Sequence, residues 1–550
     1  MSRVGFTGLY VAGCTWFAVA CGGEPQAPPA QTSGAAATSA AAADTASPTA
    51  STVASAAPIA PPAPPFRSES PVSLWVKGGT VVDGTGGPSR RADVIVQGDR
   101  IVFVGDVDPS VRAKRVIDAT GNVVAPGFVD MHAHTDPLGN VDHLLAQGVT
   151  TIVVGQDGRS PEARIASYLE GVDDKNPRVN VAALVGHATV REDAGIGAKK
   201  NPSEKDLKAM AKLVRRAMDD GAFGMSTGLE YDPGGFATKD ELAAVAKPVG
   251  DAGGIVMSHL RSEDDDKVEA ALDELLDQCE AAKARAHFSH MKVVLGKGEA
   301  RGKAILDRLA AARAKGISVT GDVYPYTASY TTLAILFPEF ARPPNSYKKA
   351  KRARHDDLLA YLKGRVEARN GPQATLFGKG KYAGKTLKDA AEKANKPFEE
   401  VLADLGPSGG SAAYFVMDED VLKVFLADPF VSFGTDGSGS SSHPRGCGTF
   451  ARIFSTYVGD AGPLKVESAV RKASSVAAET MGFEERGKLE KSYFADIVVF
   501  DPKRMKDNAT FEHPVRKATG VKTVVVNGVV EWDDGKAIKG KGGRALRKKR

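Results

Sequence analysis

Eight short apolar runs, each suited to a buried strand, recur between residues 122 and 436 and limit the folds open to this 550-residue chain more than any other feature. They end near His134, Gly155, His187, Thr227, His259, Met291, Tyr324 and Asp436. Stretches with helical spacing separate several of them, at 207–219, 264–282, 304–315 and 464–481. Eight alternating β and α units predict a closed parallel (β/α)8 barrel of the TIM type. About a hundred residues lie between the seventh run and the eighth, far beyond an ordinary connection. Within them, 338–410 is charged, Lys-rich and partly helical, and reads as an inserted lid or subdomain over the barrel mouth.

The flanks are of another kind. Residues 72–125 and 488–550 hold short β elements, with hairpin turns expected at Gly98-Asp99 and Asn527-Gly528. The basic end, 539–550, reads as a solvated tail. Ahead of the body, 22–71 is rich in Ala, Pro, Ser and Thr and nearly free of charge. Such a stretch buries too little apolar area to offset ordering, so it reads as a flexible tether. Residues 1–21 resemble a bacterial lipoprotein signal, with Cys21 as the lipidated terminus. Cys14 fits the lipobox slightly better but leaves too short an apolar segment before it. An exported, membrane-anchored protein is the expectation, with an uncleaved anchor or an ordinary secretory signal as the competing readings. No second long apolar run follows. Two cysteines, Cys279 and Cys447, remain in the body; they make no disulfide framework and are expected to be reduced. A net charge of +5, with no basic groove interleaved with aromatics, gives no argument for nucleic acid.

The chemistry concentrates at the run ends. In 129–137 (VDMHAHTDP), His132 and His134 stand two apart behind an extended stretch, so both imidazoles project from one face. Alone, such a pair often just lines a half-buried strand. Here later runs end in His259, His290 and Asp436, and strand C-terminal ends are where barrel enzymes carry their chemistry. Neutral imidazole suits zinc and related first-row ions. The pattern predicts a metal site.

The order His-x-His, His, His, Asp resembles the amidohydrolase superfamily, and within it the N-acyl-D-amino-acid deacylases (D-aminoacylases). The resemblance runs from about Val72 to Arg547 and is carried by APGFVDMHAH, QGVTTIVVG, LVGHATVR, GMSTGLEYDPG, SHMK, DVYPYTAS, TDG, HPRGCGTF and FADIVVFDP. It implies that the N- and C-terminal β segments pack as a small β-sandwich beside a metal-dependent hydrolase barrel at 126–487. It places one metal position, for Zn2+ or another divalent ion, at His132, His134 and Asp436. A second falls at His259 and His290. The residue bridging them is generally a cysteine in the family, and the aligned position here is Asp157. A carboxylate is a harder ligand than a thiolate, so metal preference can differ; Asp-Gly is also a common turn pair. Asp436 then acts in proton transfer. Arg445 and Tyr324 match the residues that meet the carboxylate of an N-acyl amino acid substrate, Lys292 matches a basic residue of the substrate site, and Tyr330 stands where the family has a serine. The implied reaction cleaves an N-acyl-D-amino acid to a carboxylate and a free D-amino acid. The alternatives are a dihydroorotase- or hydantoinase-like ring opening, a dipeptidase, and a catalytically silent metal-bearing lipoprotein.

Overall fold

Eight parallel strands close on themselves where the apolar runs predict them. The computed structural model describes residues 64–549 apart from 163, 461 and 539, so Cys21, the leader and most of the tether lie outside the described residues. Phe128–Asp130, Val149–Val154 and Asn180–Ala183 form one parallel ladder. Val185–Gly186, Gly224–Gly228, Ile255–His259, Arg285–Phe288, Val319–Val323 and Val431–Phe433 form the other. Leu184 interrupts the third strand, yet its N–H reaches Val154 O at 2.9 Å and Phe223 N–H reaches Ala183 O at 3.0 Å. Met131 N–H to Phe433 O (3.3 Å) and His134 N–H to Gly437 O (3.0 Å) join the last strand to the first. Every residue of Val149–Val154 is buried, as expected of a strand covered on both faces.

Below the site the barrel interior is filled by apolar side chains: Val129, Met131, Val153, Leu184, Ile255 and Met257 meet Met481 and Phe483 from beneath. Helices cover the outside. Glu204–Asp219 begins one turn before its apolar spacing does, because Ser203 and Asp206 form a reciprocal capping box. It buries Met210, Val214, Ala217 and Met218 on one stripe. The stretch expected at 464–481 is helical from Val466 onward but changes pitch, with a π turn at Lys472–Val476 between Val466–Arg471 and Ala477–Met481.

The insertion is wider than its charge content indicates. It opens with strand Ser329–Thr332 and closes with Gly410–Tyr414, which pairs both with that strand and with Thr375–Gly380. Its bounds are therefore 329–414, not 338–410, because the polar edge strand that opens it and the Gly/Ser/Ala-rich central strand that closes it resemble loop sequence. Leu333, Leu336, Leu358, Leu362, Phe377 and Tyr414 give it a core of its own.

The flanking segments make one nine-stranded sheet, eight strands on a single hydrogen-bonded path and Ala113–Asp118 branching from Val72–Val81, and the two flanks join where Val123–Pro126 runs antiparallel to Ile497–Phe500. Val94, Val124, Ile497 and Val525, from strands of both flanks, share one core. Both expected hairpin turns are present, with Gly98, Asn527 and Gly528 at positive φ.

Two boundary readings are corrected. The ordered body starts before residue 72: Phe66 N–H bonds Asp106 O (2.8 Å), and its ring packs 5.2 Å from that of Phe103. The basic end is not a solvated tail. Arg544 O accepts from Val181 N–H (2.9 Å), Leu546 N–H returns to Val181 O (2.8 Å), and Arg547 pairs with Asp173 (2.6 Å). Its charges ride on a backbone that extends the third barrel strand's pairing.

Candidate metal centre and substrate cavity

At the C-terminal ends of the strands the chain delivers the side chains of His132, His134, Asp157, His259, His290 and Asp436 to one place. Ligand atoms of His132, His134, Asp157 and Asp436 lie within 4.8 Å of one another, and so do those of Asp157, His259 and His290. Asp157 belongs to both groups. Its Oδ1 lies 3.3 Å from His132 Nε2, 3.5 Å from His290 Nε2 and 3.9 Å from His259 Nδ1. Its Oδ2 lies 3.3 Å from His134 Nε2. Asp436 Oδ1 stands 3.7 Å from His132 Nε2 and 3.3 Å from His134 Nε2.

Three of these residues sit at positive φ: Asp157 at 53°, His290 at 38° and Asp436 at 46°. Non-glycine residues are rare there, and such strain collects at functional sites. Asp157 is thus both a turn residue and a member of the cluster. The two readings of the Asp-Gly pair hold together.

The cluster fits a divalent metal. His132 is fully buried, yet neither ring nitrogen has a hydrogen-bond partner, and buried Asp157 Oδ1 has none either. Buried polar atoms are rarely left so; a cation would satisfy both. Against the burial that would raise them, the facing histidines and Arg445 hold the carboxyls of Asp157 and Asp436 well below the usual carboxylate range. Imidazole nitrogens and carboxylate oxygens are a suitable donor set for zinc.

Around the cluster stand carboxylates that sequence reasoning did not single out. Glu230 Oε2 lies 3.1 Å from His259 Nε2, and Glu263 Oε1 lies 3.2 Å from His290 Nδ1. Asp322 accepts the His290 N–H (3.0 Å) and bonds His287 (2.8 Å). Glu230 and Glu263 each steer an imidazole of the cluster from the side away from Asp157, an arrangement typical of metal-ligating histidines, while Asp322 fixes the backbone of His290. Asp130 ties the first strand to the last through His132 N–H (3.1 Å) and Thr435 N–H (2.8 Å), and burial pushes its carboxyl up to about 6. Glu230 and Asp322 lie inside GMSTGLEYDPG and DVYPYTAS, so those motifs were the available signal.

The three expected substrate contacts line one cavity of about 1110 Å³ together with His134, Asp157, His259, His290 and Asp436. Arg445 is engaged. Nη1 meets Asp436 Oδ2 at 2.6 Å and Nη2 donates to Tyr330 O at 3.2 Å, while the buried Nε has no partner. His443 Nδ1 accepts Arg445 N–H (3.1 Å) and so holds the start of this arginine's helix. Lys292 Nζ is 2.7 Å from both Glu263 and His290 Nδ1, and Tyr324 lies beneath Arg445 with 4.7 Å from guanidinium to ring centre. The Tyr330 hydroxyl is turned to Ser411 (2.6 Å) in the insertion. Cys447 is buried and belongs to none of the converging ligand groups among the described residues. His187 and Arg261 are structural: His187 bonds Glu241 (2.9 Å) and Arg261 bonds Glu274 (2.8 Å).

Comparison with known proteins agrees with this geometry. A family profile described as the amidohydrolase family matches residues 115–255 and 426–530. N-acyl-D-glutamate deacylase of Alcaligenes xylosoxydans xylosoxydans is 34% identical over 484 residues, 83% of this chain and 93% of that protein. D-aminoacylase of the same organism is 34% identical over 493 residues, 84% of this chain and 95% of that one. The crystal structure of N-acyl-D-glutamate deacylase from Bordetella bronchiseptica, complexed with zinc and a phosphonate mimic of the tetrahedral intermediate, superposes with a TM-score of 0.76. It is 31% identical, with 87% of this chain and 100% of that chain covered. With a closed barrel, a shared-carboxylate histidine cluster and these relatives, the chain belongs to the amidohydrolase family, among its N-acyl-D-amino-acid deacylases.

Proposed function

We propose that the protein hydrolyses the amide bond of N-acyl-D-amino acids with zinc as cofactor, releasing a carboxylate and a free D-amino acid. The observation that carries this reading is the pairing of Asp436. One carboxylate oxygen is fixed by Arg445 at 2.6 Å while the other faces the two histidines of the first strand. It opens on the cavity. His132, His134, Asp157, His259, His290 and Asp436 would hold the metal, which would supply Lewis acidity toward water and toward the scissile carbonyl.

The chain's own groups do the rest. Asp436 Oδ1 accepts the proton of the attacking water and returns it to the departing amide nitrogen, which must leave as a neutral amine. Arg445 keeps the other oxygen occupied, so the carboxylate stays oriented and ionised at rest. Arg445 and Lys292 both stand against the Tyr324 ring, 4.7 and 5.8 Å from its centre, and all three line the cavity, where they receive the α-carboxylate. The insertion closes the outer wall through Ser329, Tyr330 and Ser411. Tyr330 adds bulk where a serine is usual in the family, and its bond to Ser411 turns that bulk toward the insertion.

The leader supports a second part of the proposal: the enzyme is exported and anchored through a lipidated Cys21, with its catalytic body carried on the tether. Cys21→Ser is expected to abolish lipid labelling; labelling lost only in Cys14→Ser would move the site. Incubating zinc-loaded protein with matched N-acyl-D- and N-acyl-L-amino acids tests the activity. Release of free amino acid from the D series alone is expected, and no turnover on any D substrate would sink the assignment.

A further inference from the structure

The loop after the second barrel strand carries Asp157, and it is held by a strand two places away. Residues 155–160 pass over the third strand and rest on the fourth, Gly224–Gly228. The crossing is possible because glycine occupies both points of contact. A Cβ on Gly186 would lie 2.3 Å from Gly158 O, and one on Gly228 would lie 2.2 Å from Asp157 O. Between these two glycines in space stands Ser226, fully buried. Its hydroxyl donates to Gly155 O at 2.5 Å and accepts Gly158 N–H at 3.0 Å. One hydroxyl therefore clasps the backbone on both sides of Asp157. At the far end of the loop Ser160 N–H bonds Thr189 Oγ1 (3.0 Å) and Ser160 Oγ accepts Gly186 N–H (2.8 Å).

The clasp has something to hold. Asp157 and Gly158 sit at φ of 53° and 79°, and Gly155 at 86°. These left-handed residues on either side of Gln156 aim the carboxylate at His132, His134 and His290 from 3.3 to 3.5 Å. A left-handed aspartate is not self-sustaining and persists where its surroundings over-determine it. We infer that Ser226 is a positioning residue for the metal centre: its hydroxyl fixes the turn that presents the Asp157 carboxylate to the ions. The inference rests on Asp157 as a ligand in the proposed reading, and goes beyond that reading by assigning a residue that touches neither metal nor substrate.

The test uses the full chain, metal-free and then titrated with zinc against a chromophoric chelator, or loaded with cobalt(II) for its visible d–d spectrum. Ser226→Ala is expected to weaken zinc binding by about tenfold to a hundredfold, the usual cost of removing an outer-shell support, and to alter the cobalt spectrum. Ser226→Thr, which keeps the hydroxyl, is expected to restore both. In an Asp157→Asn background Ser226→Ala is expected to change zinc affinity less than twofold, because the group it positions is no longer anionic. Thermal melting of the metal-free variants shows whether they are folded. Thr189→Val loosens the other end of the loop and carries the same expectation with a smaller loss, so it serves if Ser226→Ala does not fold. Equal losses from Ser226→Ala in both backgrounds would mean a general structural role and overturn the inference. Unchanged affinity and spectrum in Ser226→Ala, or in Asp157→Asn itself, would overturn it as well. Both readouts are made without substrate, so a failed substrate panel and a failed cycle are distinguishable.

Discussion

Two buried Arg–Asp pairs sit at opposite ends of the barrel, and they are built from the same residues for opposite ends. On the floor, Arg486 pairs with Asp496, and both carboxylate oxygens and both terminal guanidinium nitrogens have protein partners. Asp496 also accepts Asn180 Nδ2 (3.1 Å) and Asn527 N–H (2.8 Å), while Arg486 donates to Asn527 Oδ1 (2.9 Å). At the mouth, Arg445 pairs with Asp436 at 2.6 Å, but Arg445 Nε has no partner, and Asp436 Oδ1 looks past its arginine toward two imidazoles. Asp436 is held at a φ of 46°. Burial and ion pairing are common to both. What separates a functional pair from a structural one here is unused bonding capacity together with backbone strain.

The sharpest way to break that comparison is to remove the charge from each aspartate without changing its size. Asp436→Asn deletes the proton carrier but keeps an oxygen in place, and Asn tolerates the left-handed backbone. Turnover is expected to fall by about 10²–10⁴, with bound zinc falling much less and stability shifting little, because Arg445 opens on the cavity where water can serve it. Steady-state rates and metal analysis on one preparation check this. Near-normal turnover would return Asp436 to the structural class.

Asp496→Asn is the mirror experiment. It leaves Arg486 charged, buried and without its counter-ion, a loss of about 3–5 kcal/mol when one partner of a buried pair is removed. Chemical denaturation is expected to report that loss, while activity per folded molecule stays at the wild-type level. A fall in turnover without a fall in stability would show that floor and mouth are coupled.

Much of this arrangement is legible in sequence, and the boundary of legibility has a physical origin. The eight barrel strands announce themselves because strands buried on both faces must be apolar throughout, and Val149–Val154 is an uninterrupted case. His132, His134, His259, His290 and Asp436 were found because each ends such a run. Glu230, Glu263, Asp322 and Ser226 were not, since their roles depend on which strands become neighbours in space. The edge strand that opens the insertion is hidden for a related reason: Ser329–Thr332 is at most partly buried and carries no apolar alternation. The C-terminal segment misled because its lysines and arginines describe its side chains, whereas its position is fixed by backbone bonds to Val181.

A smaller effect separates two buried histidines near the mouth. His132 is raised well above the usual imidazole value: burial lowers it, but Asp157, Asp322 and Asp436 outweigh that. His143 packs against Gly439 and bonds the Thr135 hydroxyl (3.1 Å), and burial pushes it down to about 4. The folded state then keeps His143 neutral while the unfolded chain protonates near 6.5. Its contribution is fully present above about pH 6.5 and is lost as pH falls through about 4, amounting to at most about 3 kcal/mol. His143→Gln retains a hydrogen-bonding side chain that does not titrate. The difference in unfolding free energy between pH 7 and pH 4 is expected to shrink by up to that amount. An unchanged acid limb would show that His143 does not titrate with folding.

The smallest effect tests the turn shared by mouth and floor. Asp157-Gly158 and Asn527-Gly528 are both Asx-Gly pairs with positive φ at each residue: 53° and 79° at the mouth, 46° and 80° on the floor. On the floor the Asn527 side chain closes hydrogen bonds to Asn180 Oδ1 and Gly542 O, each at 2.7 Å. At the mouth Asp157 Oδ1 closes none. If that oxygen is reserved for metal, Asp157→Asn and Asp157→Ala both lose zinc affinity, since each removes an anionic ligand. They are expected to differ without metal. Asn carries the same Cβ, but its short polar side chain can hydrogen-bond the local backbone and offset the left-handed cost, whereas Ala bears that cost in full, about 1–2 kcal/mol. Metal-free Asp157→Ala should therefore unfold at a lower denaturant concentration than metal-free Asp157→Asn, which should match the wild type. Full zinc content in the Asn variant would reduce Asp157 to what Asn527 is in backbone terms, a turn residue, and would leave the histidines without their shared carboxylate.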